Sequence, residues 1–191
     1  KLGGFGAKSE ENILKGLEFV KKSGGRFVLG LAMPQAREIE SRLEKLKEVE
    51  RVAVAGSMRR RKDTIGDIDI LAVSKNSKPV MDYFVHMPEV ARVFARGDTK
   101  SAVKLKNGLD VDLRVLPEES FGSALNYFTG SKDHNIELRR IAIDKGYKLS
   151  EYGLFEVKKG KVKSEKFITG RTEEELYKAL GMAYIEPELR E

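Results

Sequence analysis

The sequence predicts an α+β chain: a short N-terminal module, an α/β core from about residue 31 to 117, and a smaller α+β region from about 118 to 191. Three observations carry this reading. Apolar residues at helical spacing in 33–50 are followed by two strand-like runs, "RVAVAGS" and "DIDILAV". The stretch "SAVKLKNGLDVDLRVLP" alternates on both sides of Asn107-Gly108, the strongest short hairpin signal. From 118 onward the pattern changes to short helices punctuated by glycine, with one small hairpin among them.

Each element has a local reason. Leu2 to Gly6 read as a glycine-rich turn, and Ser9 to Lys22 as an amphipathic helix with Ser9 at its N-cap. "SGG" at 23–25 breaks that helix, so 23–30 read as a linker. In "MPQAREIESRLEKLKEVE", Ala36, Ile39, Leu43 and Leu46 share one helical face. "VMDYFVHM", after Pro79, reads as a short helix, and Pro117 ends the second strand of the Asn-Gly hairpin. "ESFGSALNYFTGS" is a helix stopped by Gly130, and "DHNIELRRIAIDKG" one closed by Gly146. "YGLFEVKKGKV" reads as the small hairpin. "RTEEELYKALGM" is a last helix, with Thr172 as cap and Glu175 three residues on. "EEEL" at 173–176 reads as a solvated helix face, and His86 and His134 as single, structural or exposed histidines.

Composition sets bounds. With 191 residues, 40% of them hydrophobic, the chain can bury a core. It has no cysteine, hence no disulfide framework and no thiolate metal site. No apolar run approaches a membrane span, and no signal peptide is expected. A soluble, cytoplasmic protein is the expectation, and Lys1 in place of Met suggests a piece of something longer. The net charge of +6 favours a polyanionic partner.

The chemistry concentrates in "GSMRRRKDTIGDIDILAV", residues 56–73. On a strand, residues i and i+2 point to one face, so Asp67 and Asp69 share a face while Ile68 and Ile70 point into the core. Two neighbouring carboxylates repel unless a cation neutralises them, and hard oxygen ligands suit Mg²⁺. Asp112 is a third charge set in an apolar alternation, on the second hairpin strand. If that strand packs beside 67–73, three carboxylates meet at one edge, as in two-metal phosphoryl transfer. Asp110 shares the face of Asp112, so spacing alone leaves open which is the ligand. Gly56 permits a tight turn whose backbone N–H groups can approach phosphate oxygens, and Ser57 adds a hydroxyl. Arg59, Arg60 and Arg61 supply guanidinium forks for a triphosphate, and Gly66 lets a substrate approach the backbone. A lone D-x-D or a lone arginine run would be no more than a solvated surface; the order and spacing of all these parts together point to a site.

"GSMRRRKDTIGDIDIL" resembles the Gly-Ser motif and aspartate pair of the nucleotidyltransferase superfamily. "GDTK" at 97–100, "VDLRV" at 111–115, "YFTGS" at 127–131 and "KGYKLSEYGLF" at 145–155 narrow the resemblance to family X DNA polymerases, the group of DNA polymerase beta, over essentially the whole chain. The likeness is strongest to bacterial and archaeal members, in which "EPELRE" at 186–191 would lead into a PHP nuclease domain. The resemblance implies a polymerase beta-like palm with a mixed sheet flanked by helices over 31–117. A small α+β fingers subdomain that binds nucleotide and template would follow over 118–191. Residues 1–30 would hold part of a helix-hairpin-helix, without the family's lyase domain, so no lyase activity is expected.

The resemblance also implies roles. Asp67 and Asp69 would bind two Mg²⁺ ions, with Mn²⁺ as an alternative. Asp112 would hold the catalytic ion near the primer 3′-hydroxyl. Arg114 would pair with these carboxylates in an inactive conformation. Gly56, Ser57, Arg60 and Gly66 would hold the phosphates of a dNTP. Tyr127 and Phe128 would flank its sugar, Gly130 and Ser131 would be joined by a cis peptide, and Asn135 would reach its base. Gly4, Gly6, Lys8, Lys100 and Arg139 would contact primed or gapped DNA, and Glu151 and Tyr152 would position the closing subdomain. The expected activity is templated addition of dNTPs, in short-gap repair at the nucleoid. The alternatives are an untemplated or non-DNA nucleotidyltransferase with the same core, or a non-catalytic DNA-binding fragment. Two departures concern Asp110, where the eukaryotic enzyme has an arginine, and Lys132, where it has an aspartate.

Overall fold

The computed structural model describes Lys8, residues 25–158 and residues 164–191. The expected glycine turn at Leu2 to Gly6 and helix at Ser9 to Lys22 lie outside the described residues, apart from Lys8. Among the described residues, no helix is long and apolar enough to cross a membrane.

A five-stranded mixed sheet organises the core. Its strands are β2 (Arg51–Val54), β4 (Asp67–Val73), β5 (Val90–Arg96), β6 (Lys100–Leu105) and β7 (Asp110–Leu116), in the order β2-β4-β7-β6-β5. β4 and β7 run parallel, and the other neighbours run antiparallel. The Asn-Gly hairpin forms as expected: Gly108 takes a φ of 92°, Leu105 donates to the Leu109 carbonyl, and the Leu109 N–H donates to Asn107 Oδ1. Its second strand, β7, then pairs with β4.

One face of this sheet is covered by two helices, α1 (Leu29–Glu44) and α3 (Ser77–Val85). Ala32, Ala36, Ile39 and Leu43 of α1, and Val80, Met81, Phe84 and Val85 of α3, pack with Ile68, Ile70, Val111 and Leu113. The helical spacing in 33–50 therefore marked the right face, but α1 starts at Leu29 and ends at Glu44. Pro34 lies in its second turn, where a missing N–H removes a single helical bond. The expected linker is also shorter than 23–30, because Phe27–Val28 (β1) pair antiparallel with Thr64–Ile65 (β3).

The second face is covered only in part. The helix α4 (Phe121–Thr129) sets Phe121, Ala124 and Leu125 on Ala55, Leu71 and Val73. A separate core follows: Leu138 and Ala142 of α5 (Lys132–Asp144) meet Leu154, Leu176, Tyr177 and Leu180. Around it lie the three-stranded sheet of β8 (Tyr147–Ser150), β9 (Gly153–Lys158) and β10 (Ser164–Thr169) and the helix α6 (Glu173–Ala179). The expected small hairpin is therefore one edge of a larger sheet, with its second strand at 164–169. The Thr172 cap forms, its hydroxyl accepting the Glu175 N–H at 3.1 Å. Between α4 and β5, one sheet face is left open.

α4 lies directly on the loop that enters α6. A Cβ on Gly122 would sit 2.3 Å from the Thr172 backbone. Gly122→Ala should cost about 1–3 kcal/mol in thermal or urea unfolding, the range for forced overpacking. Gly30→Ala, on α1 with nothing within 4 Å of the new methyl, should not destabilise.

Candidate active site

The alternation of β4 explains why negative charge stands inside a core strand. Ile68, Ile70 and Ala72 face α1 and α3, while Asp67, Asp69, Leu71 and Val73 share the opposite face. α4 covers only Leu71 and Val73. The aspartates therefore occupy the uncovered half. On β7 the same face carries Asp110, Asp112, Arg114 and Leu116, and the parallel register sets Asp67 beside Asp110 and Asp69 beside Asp112. Four carboxylates meet on two adjacent strands.

Their electrostatics follow from crowding. Burial, reinforced by Asp67 and Asp112, pushes the Asp69 carboxyl up from 3.8 to about 7. Burial, with Asp112 and Asp110, also raises Asp67. The next strand supplies cations: Lys100 Nζ lies 2.8 Å from Asp112 and Lys104 Nζ 2.7 Å from Asp110. Lys100, expected at the DNA backbone, thus lies on the third aspartate here. Arg114 is close enough to lower Asp69, yet its guanidinium sits 4.2 Å over the Phe128 ring rather than in an ion pair. The geometry pairs Asp112 with Asp69 and Asp110 with Asp67, and so keeps both candidates in the cluster.

The phosphate-binding candidates border the same carboxylates. Gly56 begins the short helix α2 (Gly56–Arg59) with a φ of 64°, and a Cβ there would stand 2.4 Å from Asp69 Oδ2. Only glycine lets this turn lie against the carboxylate. Ser57 is half-buried beside it, and Gly66 precedes β4. Arg60 donates to the Thr129 carbonyl. That residue ends α4, where the Gly130–Ser131 peptide is cis, as expected. Ser131 caps α5 by accepting the His134 N–H at 3.2 Å. Asn135 Nδ2 donates to the Tyr127 carbonyl at 2.7 Å, and the Tyr127 and Phe128 rings meet edge to face at 5.0 Å. These residues gather at the α4–α5 junction, tied to α2 by Arg60.

Other candidates lie further out. Arg139 is exposed and donates to the Asn135 carbonyl of its own helix. Glu151 and Tyr152 form the β8–β9 turn, held by Ser120 Oγ donating to the Tyr152 carbonyl at 2.9 Å. Gly4 and Gly6 lie outside the described residues, and Lys8 is exposed.

The sequence reading missed an ionic cluster beside the site. Glu173, expected on a solvated face, is 4% exposed. It accepts from Arg59 at 2.6 and 3.0 Å, from Arg190 at 2.6 Å and from the Tyr184 hydroxyl at 3.1 Å. Arg59 also donates to Thr129 Oγ1 at 2.7 Å. Burial alone would raise the Glu173 carboxyl, but the two guanidiniums hold it below its ordinary value. Glu173 sits in the first turn of α6 together with Glu174 and Glu175, so its position gave no separate signal.

Residues 124–191 match the family model for the DNA polymerase beta thumb. The chain is 40% identical over its whole length to the DNA polymerase/3′-5′ exonuclease PolX of Bacillus subtilis, and spans 33% of that protein's length. It is also 30% and 31% identical to the repair DNA polymerase X of two African swine fever virus isolates, covering 96% of each. The chain belongs to the family X DNA polymerases. The structure of Leishmania infantum polymerase beta, in a ternary complex, superposes with a TM-score of 0.74 at 21% identity, over 99% of this chain and 95% of that one, which shows the same fold.

Family X polymerases depend in general on divalent metal ions. Among the described residues, no three acidic or histidine side chains form a ready-made metal cage. Mg²⁺ does not require one, since it is commonly held by one or two carboxylates plus water and substrate phosphates. Paired carboxylates with raised proton affinity, partly neutralised by Lys100, are a donor set that fits such an ion.

Two outcomes follow from these electrostatics. A carboxyl whose folded pKa exceeds its unfolded value contributes stability below about pH 4 and loses it as pH rises toward 7. Asp69→Asn should therefore raise the thermal midpoint at about pH 8 with chelator by roughly 3 °C or more, and give no gain near pH 4. Glu173→Gln leaves two arginines facing a neutral amide, one of them fully buried. It should cost about 3 kcal/mol or more in urea unfolding, the scale for breaking a buried pair.

Proposed function

We propose that this chain is the polymerising core of a family X DNA polymerase, adding dNTPs to a primer 3′-hydroxyl under template direction, in short-gap repair within the cytoplasm. One observation carries the reading. The parallel β4–β7 register places Asp112 beside Asp69, directly against the Gly56–Ser57 turn.

In this reading Asp67, Asp69 and Asp112 hold two Mg²⁺ ions, with Mn²⁺ as an alternative. When bound, the ions would lower the charge of the pentacoordinate phosphoryl group and of the leaving pyrophosphate. Asp112 orients the primer hydroxyl toward the α-phosphate. Ser57, Arg60 and the backbone at Gly56 and Gly66 hold the triphosphate. Tyr127, Phe128 and Gly130 flank the sugar, and Asn135, anchored to the Tyr127 carbonyl, faces the base. Arg139 and Lys100 contact DNA, as do Gly4, Gly6 and Lys8 through phosphates. Glu151 and Tyr152 steady the α4–β8 side through Ser120. Arg114 moves between Phe128 and the carboxylates as the site opens and closes.

The test is primer extension on one-nucleotide-gapped DNA with Mg²⁺ and single dNTPs. The wild type should insert only the templated base, and Asp112→Ala should lower the rate by at least about a thousandfold, since a metal-held charge is worth several kcal/mol. Untemplated addition would move the chain to a terminal-transferase activity. DNA binding without metal-dependent insertion would leave a binding fragment.

A further inference from the structure

The open sheet face does not end at the carboxylates. Beyond β7 it continues over β6 and the edge strand β5, where every residue from Ala91 to Arg96 is exposed. At its centre is Phe94, 49% exposed. The Arg92 guanidinium lies 5.3 Å and Lys104 Nζ 5.7 Å from the Phe94 ring centroid. Lys104 is also the partner of Asp110. A chain of contacts therefore runs Asp110, Lys104, Phe94, Arg92 along one face. Two strand spacings separate β5 from β7, about 10 Å.

Edge strands are commonly guarded by charge against pairing with other chains, and that accounts for Arg92 and Arg96. It does not account for Phe94, since an exposed aromatic residue on an edge works against that protection. The register of β5 against β6 shifts between Val93 and Ala95, so Phe94 is the extra residue of a bulge, a feature that re-aims a side chain. Arg92 and Lys104 reach this face beside the ring, while Arg96 pairs with Asp82 of α3 on the other side. An aromatic ring between cations on an open sheet face is the arrangement that stacks unpaired bases and neutralises their phosphates. The bases of a duplex are stacked on one another, so a lone ring reaches only an unpaired or terminal base.

The Gly56–Ser57 turn lies on the β4 side of the carboxylates; with the triphosphate placed there, as the proposed function has it, the β6–β5 side is left for the primer strand. We propose that Phe94, between Arg92 and Lys104, is a subsite for the unpaired 3′-terminal base of single-stranded DNA. It holds a frayed or mismatched primer end beside the catalytic carboxylates. The proposal rests on the reading of DNA as substrate, and adds a place for the end that is not being extended.

The test uses the whole chain, without divalent metal, in two assays: fluorescence anisotropy with a labelled oligothymidylate, and emission of 2-aminopurine at an unpaired primer 3′ end. Phe94→Ala should weaken oligothymidylate binding by about tenfold, the scale of one base–aromatic stack, and abolish the quenching of 2-aminopurine. Phe94→Tyr should retain both. Arg92→Gln should reduce the salt dependence by about one phosphate's worth. Matched primer–template binding and templated insertion should be unchanged in Phe94→Ala. Unchanged oligothymidylate affinity and quenching in Phe94→Ala would overturn the subsite. So would an equal loss for matched duplex, which would make Phe94 a duplex contact. Loss of templated insertion in the wild type, with oligothymidylate binding intact and dependent on Phe94, would remove the polymerase reading and leave the subsite standing.

Discussion

Everything around the site answers to the repulsion among four carboxylates on two adjacent parallel strands. Hydrophobic burial builds β4 and β7 into the centre of the sheet, with Ile68, Ile70, Val111 and Leu113 fully buried on one face. The same strands must then present Asp67, Asp69, Asp110 and Asp112 on the other. Such a face is tolerable only if it stays open to water and cations. α4 accordingly stops short of it, and β6 brings Lys100 and Lys104 to two of the four charges. Burial first, and then the neighbouring charges of Asp67 and Asp112, raise the proton affinity of Asp69. A divalent cation, as the proposed function requires, would relieve the repulsion that Lys100 and Lys104 leave in place.

The Glu173 cluster solves a different problem. Among the described residues, the second core, around Leu138, Leu154 and Tyr177, shares no apolar cluster with the five-stranded sheet. What ties α2 to that second core is ionic: Arg59 of α2, Glu173 of α6 and Arg190 near the C-terminus. Buried ion pairs add little net stability but are costly to misplace, so they fix geometry more than they add strength. Arg59 is next in sequence to Arg60, which reaches the Thr129 carbonyl at the cis Gly130–Ser131 bond. One helix of four residues thus carries both the Gly56 turn that lies against Asp69 and the tether to the second core.

Strong local signals were legible in the sequence. The Asn107-Gly108 turn, the β4 alternation and the Thr172 cap each depend on neighbours within a few residues, and each is present. The aspartate cluster was legible because charge in an apolar alternation conflicts with the pattern around it. β5 gave no signal because neither of its faces is buried, so no alternation was imposed on Val90–Arg96. The start of α1 was hidden by Pro34, which reads as a helix beginning rather than its second turn. Glu173 looked like one acid in a run of three, and nothing local distinguishes it from Glu174 and Glu175. Its burial is set by Arg59, 114 positions away, and by Arg190.

The uncovered sheet face has a direction. From β2 to β5 it passes from apolar contacts under α4, through the carboxylates of β4 and β7, to the lysines of β6 and to Arg92 and Phe94 of β5. Cationic groups therefore stand on both sides of the acidic cluster, Arg60 on one and Lys100 with Lys104 on the other. An in-line displacement joins two anions, a triphosphate and the end of a polynucleotide, across a centre that must itself attract cations. A uniformly basic face would bind both anions but give neither a preferred place, and a uniformly acidic one would repel both. Under the proposed function, the alternation basic, acidic, basic would give each partner its own side and leave the reacting atoms over the carboxylates. It arises because one sheet sets Lys100 opposite Arg114 and Lys104 opposite Asp110, in a register fixed by the three-residue loop Lys106 to Gly108.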